Sequence, residues 1–329
     1  MNLAVRKEYS VTQWEALPKG PPGFTVVIPA YNREQTVLRA IKSALAQSYP
    51  PLEILVVDDG STDNTAQVAS SFGGIVRVVS QPNGGAPVAR NTGVREATTE
   101  WVAFLDSDDY WMPKHLERMV DAITGTEGKA DFYFANIQMA ENEGARPQWE
   151  RAGFEIEGGY QLCEDATPWV VRRRIPMMLQ AAVFHRERLI AAGSLWEALP
   201  MRDDTHVFLR HGLRGAACAV NYVGCEQTSD DHSGIRLTTT ISNKTLPYWR
   251  CSVRLWRDLL QGAPTLDDSA RNILKGRLAV SHMRAARLSM VDGRVFLSIG
   301  HFFRGLLTQP RSALLALLAH AGATDAPKA

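Results

Sequence analysis

Residues 101–113 read W-V-A-F-L-D-S-D-D-Y-W-M-P, an apolar run that stops abruptly at three carboxylates, Asp106, Asp108 and Asp109. A short apolar run bounded in this way predicts a buried strand. Such a strand delivers its last residues to the carboxyl edge of the sheet, where open α/β sheets bind ligands. In a strand-like stretch Asp106 and Asp108 lie two residues apart and point to one side. Two carboxylates on one side repel unless a cation lies between them. The pair therefore suggests a hard, oxygen-liking metal such as Mg2+ or Mn2+. The competing reading is an acidic, solvated turn before the helix that begins near Pro113.

Upstream, residues 24–28 (F-T-V-V-I) and 53–57 (E-I-L-V-V) are apolar and β-rich, and residues 76–79 make a third short strand. Between the first two, Val37, Leu38, Ile41, Ala44 and Leu45 mark one face of a helix that Asn32 is placed to cap. The permissive loop N-G-G-A-P (83–87) precedes a helix containing Arg90 and Asn91. Strand–helix alternation with strands apolar on both faces predicts a parallel sheet covered by helices. Downstream, strands are expected over 131–137, 179–184 and 217–223. Helices are expected over 186–192 and from Asp203 to His211. Residues 140–175, with Glu141, Glu143, Trp149 and Trp169, read as a long irregular segment of a functional kind. After Asn243 the pattern is helical nearly to the end. Residues 1–22 close on P-K-G-P-P-G and read as a flexible leader.

The 329 residues are 45% apolar, enough for one large domain with an appendage. A net charge of +1 gives no reason to expect nucleic acid as a partner. Cys163, Cys218, Cys225 and Cys251 have no regular spacing and read as reduced core thiols of a cytoplasmic protein. A zinc site using Cys218 and Cys225 would lack any recognisable spacing. No apolar h-region opens the chain, and no stretch approaches the ~20 apolar residues of a membrane span.

Four ordered segments carry a family resemblance: V-V-I-P-A-Y-N-R (26–33), E-I-L-V-V-D-D-G-S-T-D (53–63), N-G-G-A-P-V-A-R-N-T-G (83–93) and W-V-A-F-L-D-S-D-D (101–109). Together they resemble the family 2 glycosyltransferases of the GT-A fold, enzymes that use nucleotide-activated sugars. A-A-G-S-L-W-E-A-L (191–199) followed by R-D-D-T-H-V-F-L-R (202–210) is similar to the family's acceptor-side segment. The resemblance covers about residues 23–240 and leaves 241–329 as a C-terminal helical region. It implies a GT-A, Rossmann-like α/β fold with a mostly parallel sheet flanked by helices. Two departures stand out. His206 occupies a place where the family commonly has an acid, and the basic aromatic segment after the last strand is reduced to residues 228–236, with His232 and Arg236.

The resemblance implies an inverting transfer from a nucleoside-diphosphate sugar, a UDP-sugar by expectation, to a hydroxyl of a glycan or lipid-linked acceptor in cell-envelope polysaccharide synthesis. By the same resemblance Asp108 binds Mn2+ or Mg2+, and Asp106 contacts the donor ribose or shares the metal. Asp109 caps the next helix or supports the site from behind. Asp59 can accept the imide N–H of the base, and Pro29 and Tyr31 shape the base-binding wall, although Tyr31 fits ordinary packing as well. Arg90 can pair with phosphate, or with Asp59 or Asp106. Asp204 is the candidate general base, with Asp203 beside it to raise its pKa. The two can also simply place negative charge at a helix N-terminus. A phosphatase would need a lysine that cannot be placed, and a sugar-nucleotide-forming enzyme would want a glycine-rich loop where P-A-Y-N-R stands. The reading from a different class is a non-catalytic nucleotide-sugar or glycan-binding module of the same fold.

From Arg250 onward the chain has 12 Lys/Arg against 5 Asp/Glu. Within it Arg294, Ser298, His301 and Thr308 form a polar stripe at helical spacing, beside a broad apolar remainder that includes Val295, Leu297, Ile299, Phe302, Phe303 and Leu306. A basic amphipathic helix of this kind can lie on an anionic membrane surface, here through residues 292–321 at the inner face of the cell membrane. The same apolar face can instead pack on the catalytic domain or on a second subunit of a homo-oligomer.

Overall fold

The computed structural model describes residues 20–139, 146–228, 244–262 and 266–321. The expected leader lies almost wholly outside the described residues, as do Glu141, Glu143, His232 and Arg236. Among the described residues, those through Thr228 form one compact unit and those from Lys244 form a second.

The first unit is built on a nine-stranded sheet whose parallel half matches the apolar runs of the sequence. Strands β1 (Phe24–Ala30), β2 (Glu53–Asp58), β3 (Val76–Ser80) and β4 (Trp101–Phe104) lie side by side in the order β3-β2-β1-β4. All three pairings among them are parallel. Helices α1 (Val37–Leu45), α2 (Thr65–Ser70) and α3 (Ala86–Glu96) make the crossovers. Strands β1 and β4 are buried along their whole length, which is why they read as continuous rather than alternating apolar runs. In α1 the buried residues are Val37, Ala40, Ile41 and Ala44, whereas Leu38 and Leu45 turn out to be exposed.

Beyond β4 the sheet becomes mixed. Strand β8 (Ala182–His185) runs antiparallel to both β4 and β6 (Phe132–Gln138), and β6 runs parallel to β9 (Ala217–Glu226). Two short strands, β5 (Tyr110–Trp111) and β7 (Tyr160–Cys163), pair antiparallel with β9. Helices α4 (His115–Gly125), α5 (Gln148–Ala152), α6 (Thr167–Val170), α7 (Arg186–Ala191) and α8 (Asp203–Gly212) complete this unit. The expected strand over 179–184 divides into a 3-10 turn at Leu179–Ala181 followed by β8. The described part of the expected irregular segment is ordered into α5, β7 and α6. Their short lengths, 5, 4 and 4 residues, are too brief for periodicity to reveal. Cys218 and Cys225 are free thiols buried in β9.

One close approach fixes α3 on the sheet. A Cβ at Gly93 would lie 2.3 Å from Val27 Cγ1, so only glycine lets the helix sit this near β1. Buried there, α3 brings the polar residues Arg90 and Asn91 into the protein interior.

The second unit contains α9 (Leu246–Gly262), α10 (Asp268–Val291), α11 (Val295–Thr308) and α12 (Pro310–Ala321). Asp267 caps α10 by accepting a hydrogen bond from the Ala270 amide at 2.7 Å. Ala279, Met283 and Ala313 form a small core onto which Phe302 and Leu306 pack. Helix α11 is inside out. Its buried residues are Ser298, His301 and Gly305, whereas Phe296 is 92% exposed and Leu307 85% exposed. Of the expected polar stripe, Ser298 and His301 face the helical interior, whereas Arg294 is exposed. His301 accounts for part of this, because its Nδ1 lies 2.8 Å from Nδ1 of buried His282.

Burial holds both imidazoles below their ordinary pKa, helped for His282, which falls to about 4, by His301, Arg257 and Arg304. For His301, Arg304, Arg250 and Arg257 act in the same direction. A depressed histidine pKa means the unfolded chain binds protons first, so stability is full above about 6.5 and declines as pH falls towards 4. Hydrogen exchange within α10 and α11, corrected for its intrinsic pH dependence, should accelerate across that window. Undiminished protection at pH 4 would show that the pair does not couple to the packing of these helices.

Candidate active site

Strand β4 ends at Phe104, two residues before the first aspartate. The Asp109 amide donates to the Asp106 carbonyl at 3.1 Å, closing a turn with Ser107 and Asp108 at its corners. The strand-like continuation expected for 106–109 is therefore a turn. Burial still alternates, with Ser107 and Asp109 buried and Asp106 and Asp108 half-buried.

The turn is held from several sides. Arg39 Nη2 in α1 donates to the Asp108 carbonyl at 2.8 Å, and the Thr228 hydroxyl donates to the same oxygen at 2.6 Å. Asp109 does not cap α4, whose N-cap position is Lys114. Its carboxylate instead accepts from Gln180 Nε2 at 3.1 Å and from the Thr228 amide at 3.3 Å.

Arg90 links this turn to α8. Its Nη2 donates to Asp106 Oδ1 and its Nη1 to Asp203 Oδ2, each at 2.7 Å, with the guanidinium nearly buried. Of the partners open to Arg90 in the sequence, the structure selects Asp106 and adds Asp203. Burial opposes the charge on Arg90, but Asp203 and Asp106 outweigh it and hold the guanidinium pKa above the ordinary value. The Asp203 carboxyl is pushed up by burial first and by Asp204 next, against the pull of Arg90. Asp203 and Asp204 open α8, where carboxylates are favoured by the helix dipole. The half-buried Asp204 carboxylate accepts from the amide and hydroxyl of Thr205. Preceding them, Arg202 adopts a left-handed conformation with φ 63°. His206 is buried against Trp196, with ring centroids 5.1 Å apart, which is a packing role.

Asn91 fastens the segment leading to α8. Its side chain exchanges two hydrogen bonds with the Leu195 main chain, at 2.8 and 3.0 Å, and also donates to Glu197 at 3.0 Å. Neighbouring residues of α3 thus hold the residues on both sides of the approach to α8.

The edge at β1 and β2 is organised by Asp59, which is 3% exposed. Its carboxylate receives Gln81 Nε2 at 2.7 Å, the Gly84 amide at 2.9 Å and the Gly85 amide at 2.7 Å, so it ties down the glycine loop. Asn32 does not cap α1, whose N-cap position is Thr36. With φ 53°, Asn32 instead takes the Thr62 amide on Oδ1 and gives its own amide to Ser61. Pro29 is buried within β1, and Tyr31 stands at the edge, 44% exposed.

Among the described residues no three His, Cys, Asp or Glu side chains come together as a ready-made metal cluster. The donor set nonetheless suits Mg2+ or Mn2+, which take one or two carboxylates together with substrate phosphates. Asp106 and Asp108 supply the carboxylates on the less buried side of the turn. Arg90 at Asp106 Oδ1 disfavours a cation on that oxygen, leaving Asp108 and the second Asp106 oxygen.

Residues 25–180 match the model of glycosyl transferase family 2. This region is a family 2 glycosyltransferase domain. Within the curated relatives, the succinoglycan biosynthesis protein ExoW of Rhizobium meliloti is 42% identical over 121 residues, covering 35% of this chain and 37% of that protein. An uncharacterized glycosyltransferase of Nostoc is 34% identical over 163 residues, covering 46% and 51%. The chain spans between 18% and 51% of the length of such relatives. In fold, the chain resembles S. aureus TarS 1–349 in complex with UDP-GlcNAc, with a TM-score of 0.63 at 18% identity over 87% of this chain and 81% of that one. It also resembles the mannosyltransferase PcManGT of Pyrobaculum calidifontis in complex with GDP-Man and Mn2+, with a TM-score of 0.55 at 18% identity over 95% and 84%. The fold is thus of the GT-A type, with its C-terminal helices present.

Sequence reasoning missed Arg39, Gln180 and Thr228, which position the aspartate turn from places 65 or more residues away along the chain or in another element. No local pattern marks them. Asn91 did carry a signal, since it lies beside Arg90 within the matched A-R-N-T-G run.

Removing the guanidinium leaves Asp203 buried without its ion partner, a loss worth about 3–5 kcal/mol. Arg90→Gln should destabilise the domain by roughly that amount in chemical denaturation, and Arg90→Gln with Asp203→Asn should recover part of it. If the single variant is as stable as the parent, the bridge does not hold the site together.

Proposed function

We propose that this chain is an inverting, metal-dependent glycosyltransferase acting on a nucleoside-diphosphate sugar, a UDP-sugar in the first instance. Its acceptor is a hydroxyl of a glycan or lipid-linked substrate, and its role lies in cell-envelope polysaccharide synthesis. The observation that carries this reading is the Arg90 bridge, which joins the carboxyl edge of β4 to the first turn of α8. It brings the donor-side aspartates and the candidate base onto one rigid frame. TarS with UDP-GlcNAc and PcManGT with GDP-Man and Mn2+ support a donor of this chemical class.

In this reading Asp204 takes the proton of the acceptor hydroxyl as that oxygen attacks the anomeric carbon. The bond from the anomeric carbon to the diphosphate oxygen breaks, and the diphosphate leaves with the electron pair. One displacement inverts the anomeric configuration. A divalent cation held by Asp108, with Asp106, supplies Lewis-acid stabilisation of the leaving diphosphate when bound. Asp59 and the loop it anchors, with Pro29 and Tyr31, form the base-binding side. Arg90 has both Nη atoms on carboxylates, so its part is to position Asp106 and Asp203.

The C-terminal helices support a lipid-linked acceptor and contact with the inner face of the cell membrane. Phe296, Ile299, Phe303 and Leu307 recur at helical spacing on the exposed side of α11. From Arg284 to Leu318 there are five arginines and a single acid, Asp292. An exposed apolar stripe flanked by arginine suits an anionic bilayer. No helix of the described residues is long and apolar enough to cross a membrane, so this contact is peripheral.

Asp108→Asn should abolish transfer and weaken Mn2+-dependent donor binding, and full activity in excess chelator would reject the metal's role. Asp204→Asn should lower kcat by about 100- to 10,000-fold with donor affinity nearly unchanged. A product of retained configuration would reject the single displacement. Donor binding by the parent without release of nucleoside diphosphate would mark a binding module instead.

The membrane contact is tested by flotation with anionic vesicles at low salt. The parent should float, and the combined change Phe296→Ser, Phe303→Ser and Leu307→Ser should abolish flotation. Equal flotation would clear the face of that role, and a parent dimer that the changes dissociate would assign it to a second copy.

A further inference from the structure

A second chain of hydrogen bonds runs from α3 to Asp59, and all its donors point one way. Arg95 Nη2 donates to the Thr92 hydroxyl at 2.8 Å, and that hydroxyl donates to Gln81 Oε1 at 2.6 Å. Gln81 Nε2 then donates to Asp59 Oδ1 at 2.7 Å. Gln81 is in reach because it directly follows β3, where its amide donates to the Asp58 carbonyl at 3.0 Å. Arg95 is braced in turn by Glu197, 3.6 Å from its Nη1, and Glu197 also accepts from Asn91 at 3.0 Å.

The two ends set the direction of the relay. A guanidinium only donates, and an ionised carboxylate only accepts. Thr92 has a single hydroxyl proton, so accepting from Arg95 commits that proton to Gln81. The Gln81 amide has two orientations that differ by a half-turn of its last torsion. The Thr92 proton selects the one with nitrogen towards Asp59. A helical threonine can return its hydroxyl to a carbonyl of the preceding turn. At Thr92 the hydroxyl instead points out of the helix to Gln81. A cation near a helix C-terminus accounts for Arg95 but selects no partner for Thr92 or Gln81.

Asp59 is left with little freedom. The Gly84 and Gly85 amides supply its other donors among the described residues, so Oδ1 accepts twice and Oδ2 once. Of the roughly four acceptor positions on a carboxylate, the one remaining lies on Oδ2.

We infer that Gln81 and Thr92 are positioning residues that make the site select a base with a ring N–H. The assignment rests on the proposed function, in which Asp59 accepts from the base. Uracil presents N3–H where cytosine presents a bare N3. A carboxylate held with one acceptor position open attracts the first and repels the second. Without the Thr92 hydroxyl, the Gln81 amide can turn its oxygen to Asp59, which loses a donor and can rotate. The selection then weakens although Asp59 itself is intact.

The test titrates UDP and CDP, which differ only in the base, into the full chain with Mn2+ by calorimetry. The variants are Thr92→Val, which keeps the side-chain shape, and Thr92→Ser, which keeps the hydroxyl. The parent should favour UDP. Thr92→Val should weaken UDP binding about tenfold, as for one hydrogen bond to a charged group, with CDP binding little changed. Thr92→Ser should retain the parent's ratio of UDP to CDP affinity. Without nucleotide, hydrogen exchange at the Gly84 and Gly85 amides should be faster in Thr92→Val than in the parent or in Thr92→Ser. An unchanged ratio in Thr92→Val overturns the inference. So does an equal loss in both variants, which marks packing as the role of Thr92. A parent that favours CDP rejects Asp59 as the acceptor and the inference with it. A parent that binds neither nucleotide counts against the nucleotide-sugar reading. Exchange at Gly84 and Gly85, faster or unchanged in Thr92→Val, then upholds or overturns the relay.

Discussion

One buried guanidinium with two carboxylate partners sets the geometry of the candidate site. Arg90 takes Asp106 from the end of a strand and Asp203 from the start of a helix 113 residues further along the chain. A buried ion pair contributes little net stability when complete but is expensive to break. That asymmetry suits a positioning device. The two carboxylates need not attract each other or share a fold element, because each is oriented by the same planar fork. The device works only because α3 lies close to β1, which the missing Cβ of Gly93 permits.

Around that bridge, the loops at the carboxyl edge are tied by polar groups to one another rather than by apolar packing. Asp59 gathers the glycine loop, Asn32 joins the loop after β1 to the loop after β2, and Asp109 joins the aspartate turn to Gln180 and Thr228. Buried carboxylates and amides of this kind need their partners, since an unmatched one costs about 1–3 kcal/mol. The consequence is a carboxyl edge of defined conformation, able to present Asp106, Asp108 and Asp204 from two separate chain segments.

The C-terminal helices obey a different logic. Helix α11 buries Ser298, His301 and Gly305 and exposes phenylalanine and leucine. Small residues permit close helix contact: a Cβ at Gly305 would meet Met283 Sδ at 2.8 Å. The histidine pair satisfies itself inside.

The sequence by itself determined the parallel half of the sheet, because strands buried on both faces must be apolar throughout and their crossovers must be amphipathic. It also determined which aspartates gather at the carboxyl edge, since each ends a strand or opens a helix in a recognisable local context. Tertiary structure alone decided that Arg90 pairs with Asp203, that Asp59 anchors the glycine loop, and that Arg39, Gln180 and Thr228 brace the aspartate turn. Those are contacts between residues tens of positions apart, and nothing in local spacing encodes which donor reaches which acceptor. The same holds for the orientation of α11. Its periodicity defines two faces but leaves open whether the apolar one packs inward, and only the packing of Gly305 and the histidine pair against α10 leaves Phe296, Phe303 and Leu307 exposed.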